Sequence, residues 1–260
     1  MRYDFFGNEI TSGWRGTNCK LLYLESNELT DEYLAYRIDC MPEVKGREHY
    51  YVKSFIVPHL MKDAGIDTVF HIGFAHGRYL WSYKYFYYKA VMGCELPHEE
   101  GGGIPAGELF VEETKKKHEY ILFKDFLELT DEDIEKTKEF DLSNACLVTE
   151  ASLMCFVDRT QDYITKFAQM ADEEFYEKRR ILVNRIEKFH DVGFNNFVFI
   201  EQDDELFRTL NLNGLQYSCT KMGPNFIDEF SMNYIVNKYI VAHIWSANNN
   251  LHRNIQILTK

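Results

Sequence analysis

The chain has 260 residues, with 29 basic and 41 acidic side chains and a formal net charge of −12, a balance that disfavours non-specific binding to a phosphate backbone, which basic side chains drive. Hydrophobic residues make up 45% and aromatics 15%, including 20 Phe and 17 Tyr. That is enough apolar material for a packed core, it excludes wholesale disorder, and no apolar run approaches the ~20 residues needed to cross a bilayer.

Cys19, Cys40, Cys94, Cys146, Cys155 and Cys219 show no close pairing. They are read as reduced thiols of a cytoplasmic protein, not as a disulfide framework or a zinc ribbon. The opening MRYDFFGNEI has no basic segment followed by an apolar stretch and is not expected to be a secretory leader. Five prolines and no stretch rich in Pro, Gly and Ser mark no linker. The expectation is one domain: an extension or cap over 1–46 and the main fold over 47–260.

A helix is expected over 47–64, where Val52, Phe55, Ile56, His59 and Leu60 share one face. Pro58 should kink it and Gly65 should stop it. Thr68–Ile72 is a short apolar run ending at Gly73 and reads as a buried strand. A second helix is expected through the aromatic block Leu80–Tyr88, and a second strand over Ala90–Cys94, closed by Glu95. Tyr120–Phe123, Ala145–Thr149 and Phe197–Ile200 are further strands, separated by helical patterns over 150–170, 172–190 and 203–211. Strands alternating with helices make βαβ units and a parallel sheet. The tail differs: Leu215–Lys221 and Tyr239–Trp245 read as an antiparallel pair closing one edge.

Four features fall at the carboxyl ends of the parallel strands, where open α/β sheets bind ligands. Gly73-Phe74-Ala75-His76-Gly77 lets the backbone turn sharply before a helix whose N-terminus offers free N–H groups. Glu95 ends the second strand, the place where an acid accepts hydrogen bonds from ribose hydroxyls in nucleotide-binding folds. Phe123-Lys124-Asp125-Phe126 would present a carboxylate and an aromatic wall to an adenine. Thr149-Glu150-Ala151-Ser152 follows the fourth strand. No GxSxG, GxxxxGK[ST] or HExxH occurs. No metal site is expected: His98-Glu99-Glu100 beside Gly101–Gly103 reads as a polar surface loop, and His71, His76 and His190 as core or surface residues. The run Trp81–Tyr88 reads as core packing, and Asp131-Glu132-Asp133 as a helix N-terminus favoured by the dipole.

These residues resemble the leucine carboxyl methyltransferases, over most of the chain and in the family's order. Arg15-Gly16-Thr17 with Lys20 is similar to the family's N-terminal RGT stretch and its cofactor-binding lysine. Pro42-Glu43-Val44 with Tyr50-Tyr51-Val52-Lys53 is similar to its next stretch, in which Lys53 takes the place of an arginine that holds the cofactor's carboxylate. His71 to Ala75 resembles its glycine-containing turn. Cys94-Glu95-Leu96-Pro97 resembles its acidic ribose motif, and Asp125-Phe126 its adenine contact. Leu147 to Met154 resembles its Glu motif, and Phe226-Ile227-Asp228-Glu229 with Tyr239 to Trp245 its C-terminal stretch.

The resemblance implies a Rossmann-like class I methyltransferase fold, a doubly wound, mostly parallel seven-stranded α/β sheet with an antiparallel edge strand. It implies S-adenosylmethionine as cofactor, bound by Lys20, Lys53, Gly73, Phe74, Ala75, Glu95, Leu96, Asp125, Phe126 and Glu150. Glu150 would orient the methionine moiety; no catalytic base is assigned. The implied partner is a carboxylate, of a protein C-terminus or of a small molecule; the net charge and the lack of a long apolar run leave neither nucleic acid nor membrane expected. Ala75 stands for a glycine, Gly77 for an aspartate, Lys53 for an arginine and Cys155 for a tyrosine. These departures leave a second reading, a non-catalytic cofactor-binding member. A nicotinamide-dependent enzyme on a related fold is a third, opposed by the antiparallel tail and the Glu150 stretch.

Overall fold

The computed structural model describes residues 2–3, 9–10, 48–74, 78–95, 118–150, 152–153, 171–222 and 240–259. Seven strands form one sheet: β1 (Thr68–Ile72), β2 (Ala90–Glu95), β3 (Tyr120–Phe123), β4 (Ala145–Glu150), β5 (Asn196–Gln202), β6 (Gln216–Lys221) and β7 (Ile240–Ser246). Their spatial order is β3-β2-β1-β4-β5-β7-β6. β1 to β5 pair in parallel, and β7 runs antiparallel to both β5 and β6. The edge is antiparallel as the sequence suggests, with the reversed strand one place in from the rim strand. Arg2–Tyr3 and Glu9–Ile10 pair separately as a short antiparallel ladder.

The central strands are apolar on both sides because helices cover both. On one face Val69, Val91, Cys146, Val148, Val198 and Ile244 pack under helices α1 (Glu48–Asp63), α2 (Arg78–Tyr85) and α6 (Asn249–Ile255). On the other, Phe70, Met92, Leu147, Phe197 and Phe199 pack under α4 (Asp172–Val192). Helix α4 buries Phe175, Leu182, Ile186, Phe189 and Val192 on one stripe and stops at Gly193, φ 122°. The acidic run opens α3 (Asp131–Glu135) with a capping box between Thr130 and Asp133. Among the described residues no helix is long and apolar enough to cross a membrane.

Helix α1 includes Pro58, whose carbonyl accepts a 2.7 Å hydrogen bond from Tyr88 Oη, and Gly65, at φ 90°, follows its end as expected. Two expectations are corrected. Helix α2 ends at Tyr85, not Tyr88, because Tyr87 turns to φ 56° and lets Tyr88 enter the core while Tyr87 is left exposed. The helix expected over 203–211 is one turn, α5 (Glu205–Arg208): the chain then extends so that Leu210 and Leu212 are both buried. Most of the helix expected over 150–170 lies outside the described residues.

Candidate functional site

The order of strands reverses between β1 and β4, and the crevice above such a reversal is where doubly wound sheets bind ligands. Register sets what lines it. Ile72 pairs with Cys94 and with Thr149, so Gly73, Glu95 and Glu150 occupy the next row of three adjacent strands. All three are half-buried. The row carries two carboxylates, where the row below it holds Ile72, Cys94 and Thr149, all buried.

Gly73 sits at φ 69°, a conformation that L side chains rarely adopt, and its N–H donates to Cys94 O at 2.8 Å. A Cβ here would collide with Ser152. That serine links the two loops of the crevice: its Oγ lies 3.2 Å from the Gly73 carbonyl and 3.0 Å from the Glu150 carbonyl, two acceptors for one proton. Gly93 is needed for a similar reason, since a Cβ would lie 2.5 Å from His71 O and 3.1 Å from the Phe74 ring. Phe74 is buried and meets Phe123 edge-on, with centroids 5.9 Å apart.

On β5, one residue beyond the partner of Glu150, lies Glu201, 1% exposed. Its Oε1 accepts three hydrogen bonds: from Thr149 Oγ1 at 2.7 Å, Ser152 N at 3.0 Å and Leu153 N at 3.1 Å. Among the described residues Oε2 has no hydrogen-bond partner. Burial pushes this carboxyl up to about 7; the three donors oppose the shift and the nearby Glu150 charge adds to it. Glu201 is thus the anchor that sets the turn after β4, and Ser152 passes that anchorage on to Gly73.

His71 is fully buried and is a core residue, as expected. Its Nδ1 lies 2.9 Å from Tyr83 Oη, and its ring packs against Tyr79 at 4.6 Å. Desolvation lowers its pKa to about 3, so the ring is neutral across the physiological range. His190 sits at the end of α4 between the Phe194 and Asn213 carbonyls.

The other expected contacts divide. Asp125 caps the 3-10 turn Phe126–Glu128, its Oδ1 accepting from Leu127 N at 2.9 Å. Phe126 does not offer an open aromatic wall: it is buried and stacks on Phe189 at 6.0 Å, because its ring fills the gap between that turn and α4. Phe123, half-buried at the end of β3, is the accessible aromatic of that stretch. Lys124 pairs with Asp133 at 2.8 Å and belongs to the helix cap. Lys53 lies on α1, its side chain outside the described residues; Lys20, Ala75, His76, Gly77, Leu96, Cys155 and the loop with His98 are also outside them.

Sequence reasoning missed Glu201. The available signal was a carboxylate closing the apolar run Phe197-Val198-Phe199-Ile200, where a buried charge needs several donors.

The half-exposed acid at the end of β2, the left-handed glycine at the end of β1 and the accessible Phe123 fit the diol, backbone approach and base of an adenosine. The strand order, with its single reversed strand, is that of a Rossmann-like class I methyltransferase fold.

No protein-family model matches the chain, and no curated protein matches its sequence. Among solved structures it is similar to an O-methyltransferase from Bacillus cereus in complex with SAH. The identity is 9%, 75% of this chain and 80% of that one are covered, and the TM-score is 0.40. It is also similar to an N-methyltransferase from Bradyrhizobium japonicum, at 12% identity over 76% of this chain and 97% of that one, TM-score 0.40. A third is a SAM-bound amino pentose methyltransferase from Micromonospora echinaspora, at 10% identity over 66% and 56%, TM-score 0.36. The chain spans about half the length of the first structures it matches, 45% and 56%. At such identities and scores the fold rests on the strand order itself.

Proposed function

We propose that this protein is an S-adenosylmethionine-dependent O-methyltransferase whose acceptor is a carboxylate, of a protein C-terminus or of a small molecule. The observation that carries the reading is the row Gly73, Glu95 and Glu150 across three adjacent parallel strands at the reversal of strand order. Glu95 holds the ribose hydroxyls. Gly73 lets the main chain approach the ligand. Glu150 faces the cofactor's ammonium end, and the acidic rim favours a sulfonium cation.

When bound, S-adenosylmethionine supplies the methyl group on a sulfur that leaves as a neutral thioether. The carboxylate reading comes from the resemblance to the leucine carboxyl methyltransferases. It also fits the lack of an assigned base: a carboxyl with a reference pKa near ~3.5–4.3 is already anionic at neutral pH. The acceptor oxygen forms the new bond to carbon as the sulfur–carbon bond breaks, so no proton has to be removed. What the chain must provide is a cation to orient the acceptor and a dry crevice. Lys20 and Lys53 take the role of holding the cofactor's carboxylate.

Calorimetry with S-adenosylmethionine and S-adenosylhomocysteine tests the cofactor. The expected result is binding that weakens by roughly 10- to 100-fold in Glu95→Ala, the worth of a charged hydrogen bond. Equal affinity in wild type and variant would remove the ribose assignment. Transfer of a labelled methyl group then tests the acceptor. An ester is released as methanol by mild alkali, and an alkali-stable label would exclude carboxyl methylation while keeping methyl transfer. Binding without transfer to any carboxylate would favour the non-catalytic reading that Ala75, Gly77 and Cys155 motivate.

A further inference from the structure

At the far edge of the sheet from the crevice, three donors from three strands converge. Asp203 follows β5, Cys219 lies on β6 and His243 on β7; one ligand atom from each lies within 4.8 Å of the others. Cys219 and His243 are direct cross-strand partners. Their convergence is a product of register, and their spacing along the chain resembles no metal motif, which is why none was expected from the sequence.

A second observation is independent of that proximity. His243 is fully buried and its Nε2 lies 3.0 Å from the Gln202 carbonyl, which can only accept. The bond therefore places the proton on Nε2 and leaves the Nδ1 lone pair facing the cluster. A metal-bound histidine is held in this way, by a backbone carbonyl on its other nitrogen. Tyr217 Oη lies 2.9 Å from Nδ1 and donates to it in the metal-free protein.

We propose that Asp203, Cys219 and His243 bind a divalent cation of the zinc class, and that the cation clamps the edge strand β6 to β5 and β7. The donor set of one thiolate, one imidazole and one carboxylate suits zinc. Bonds of ~2.0–2.3 Å to tetrahedral zinc put ligand atoms roughly 3.3–3.8 Å apart, so atoms within 4.8 Å of one another need close by no more than about 1.5 Å. The two residues that have to move, Asp203 and Cys219, are exposed, and the one that is fixed, His243, is already oriented. Arg208 engages Oδ1 of Asp203, and a carboxylate has a second oxygen to offer. On binding, Cys219 loses its proton to solvent, Nδ1 exchanges the Tyr217 hydroxyl for the metal, and that hydroxyl becomes a donor to the new thiolate. Water or the Tyr217 oxygen fills the fourth position.

The test uses the full chain, stripped with a chelator and titrated with Zn2+ and with Co2+. The expected result is one equivalent bound, a thiolate-to-cobalt charge-transfer band, and a thermal midpoint raised by zinc. Cys219→Ser should lose the band and the thermal shift while melting like wild type in chelator, since the thiol it replaces is exposed. Asp203→Asn should keep the band but bind ~10- to 100-fold more weakly. Absence of the band from wild type, or its persistence with the thermal shift in Cys219→Ser, overturns the proposal. None of these outcomes depends on whether the crevice transfers methyl groups.

Discussion

The floor of the sheet and its carboxyl-end rim are built from the same strands and do opposite things. In the floor rows Val69, Phe70, Val91, Met92, Leu147 and Val198 are all 0% exposed, so each strand buries both faces. Nearer the carboxyl ends come Thr149 and then the row of Gly73, Glu95 and Glu150, where hydrogen bonds from Thr149 to Glu201 and from Ser152 to the Gly73 carbonyl cross between strands and loops. Burial of the floor supplies the free energy, on the order of 25 cal/mol per Å² of apolar surface. The rim spends stability on a buried carboxyl and a left-handed backbone, and obtains a fixed crevice. Damage to the floor should therefore lower stability without touching affinity, and damage to the rim should do the reverse, with residues that join the two showing both.

The largest effect is expected in the floor. Phe189→Ala removes a fully buried ring that touches Phe70, Phe126 and Phe194. It should cost about 3–5 kcal/mol in urea unfolding and leave cofactor affinity unchanged where the protein is still folded. Reduced affinity would show that floor and rim are not separable.

Glu201→Ala acts at the join. It leaves the Thr149 hydroxyl and two backbone N–H groups without their acceptor, a loss of about 3 kcal/mol. It should also weaken the cofactor, because the Ser152 contact to Gly73 loses its support. Glu201→Gln keeps an oxygen for the three donors and should recover most of both. A variant with wild-type affinity would sever the chain of contacts from Glu201 to Gly73.

Tyr83→Phe sharpens the comparison on the other face. It strands the buried Nδ1 of His71, which should lower stability by about 1–3 kcal/mol. Cofactor affinity should hold, since His71 sits below the rim; a fall would move His71 into the site.

The smallest effect is in pH dependence. Partial desolvation of Asp133 is outweighed by Lys124 and Thr130, which bring its carboxyl down to about 2. Its folded pKa lies below the unfolded value of about 3.9, so its contribution is present above pH ~4 and is lost as pH falls through about 2. The difference in urea midpoint between wild type and Asp133→Asn should therefore be visible at pH 5 and vanish near pH 2. A constant difference would mean that the cap does not depend on the charge.

Much of this was legible in the residues. Alternation of apolar runs with amphipathic stretches predicts the five parallel strands, and Gly65, Gly73 and Glu95 punctuate them where the chain must turn or a strand must end. The acidic run preceding Ile134 announces a helix start. Such signals are local: they depend on which side chains can be buried and on which backbones can adopt positive φ. The length of α2 was not legible, because Tyr87 and Tyr88 are both aromatic and only packing decides which one is buried. Nor was the fate of Phe126, whose ring is equally suited to a base or to Phe189.

The amino-acid sequence by itself determined the α/β alternation, the place of the crevice and the acid that ends β2, since each follows from periodicity or from a single residue's conformational needs. Tertiary structure alone decided that Glu201 would hold the turn after β4, 52 residues away from the hydroxyl it accepts from at Thr149. It alone brought Asp203, Cys219 and His243 together. The physical reason is register: pairing of distant strands sets which polar side chains meet, and a burial pattern with a period of two records only which face each of them is on.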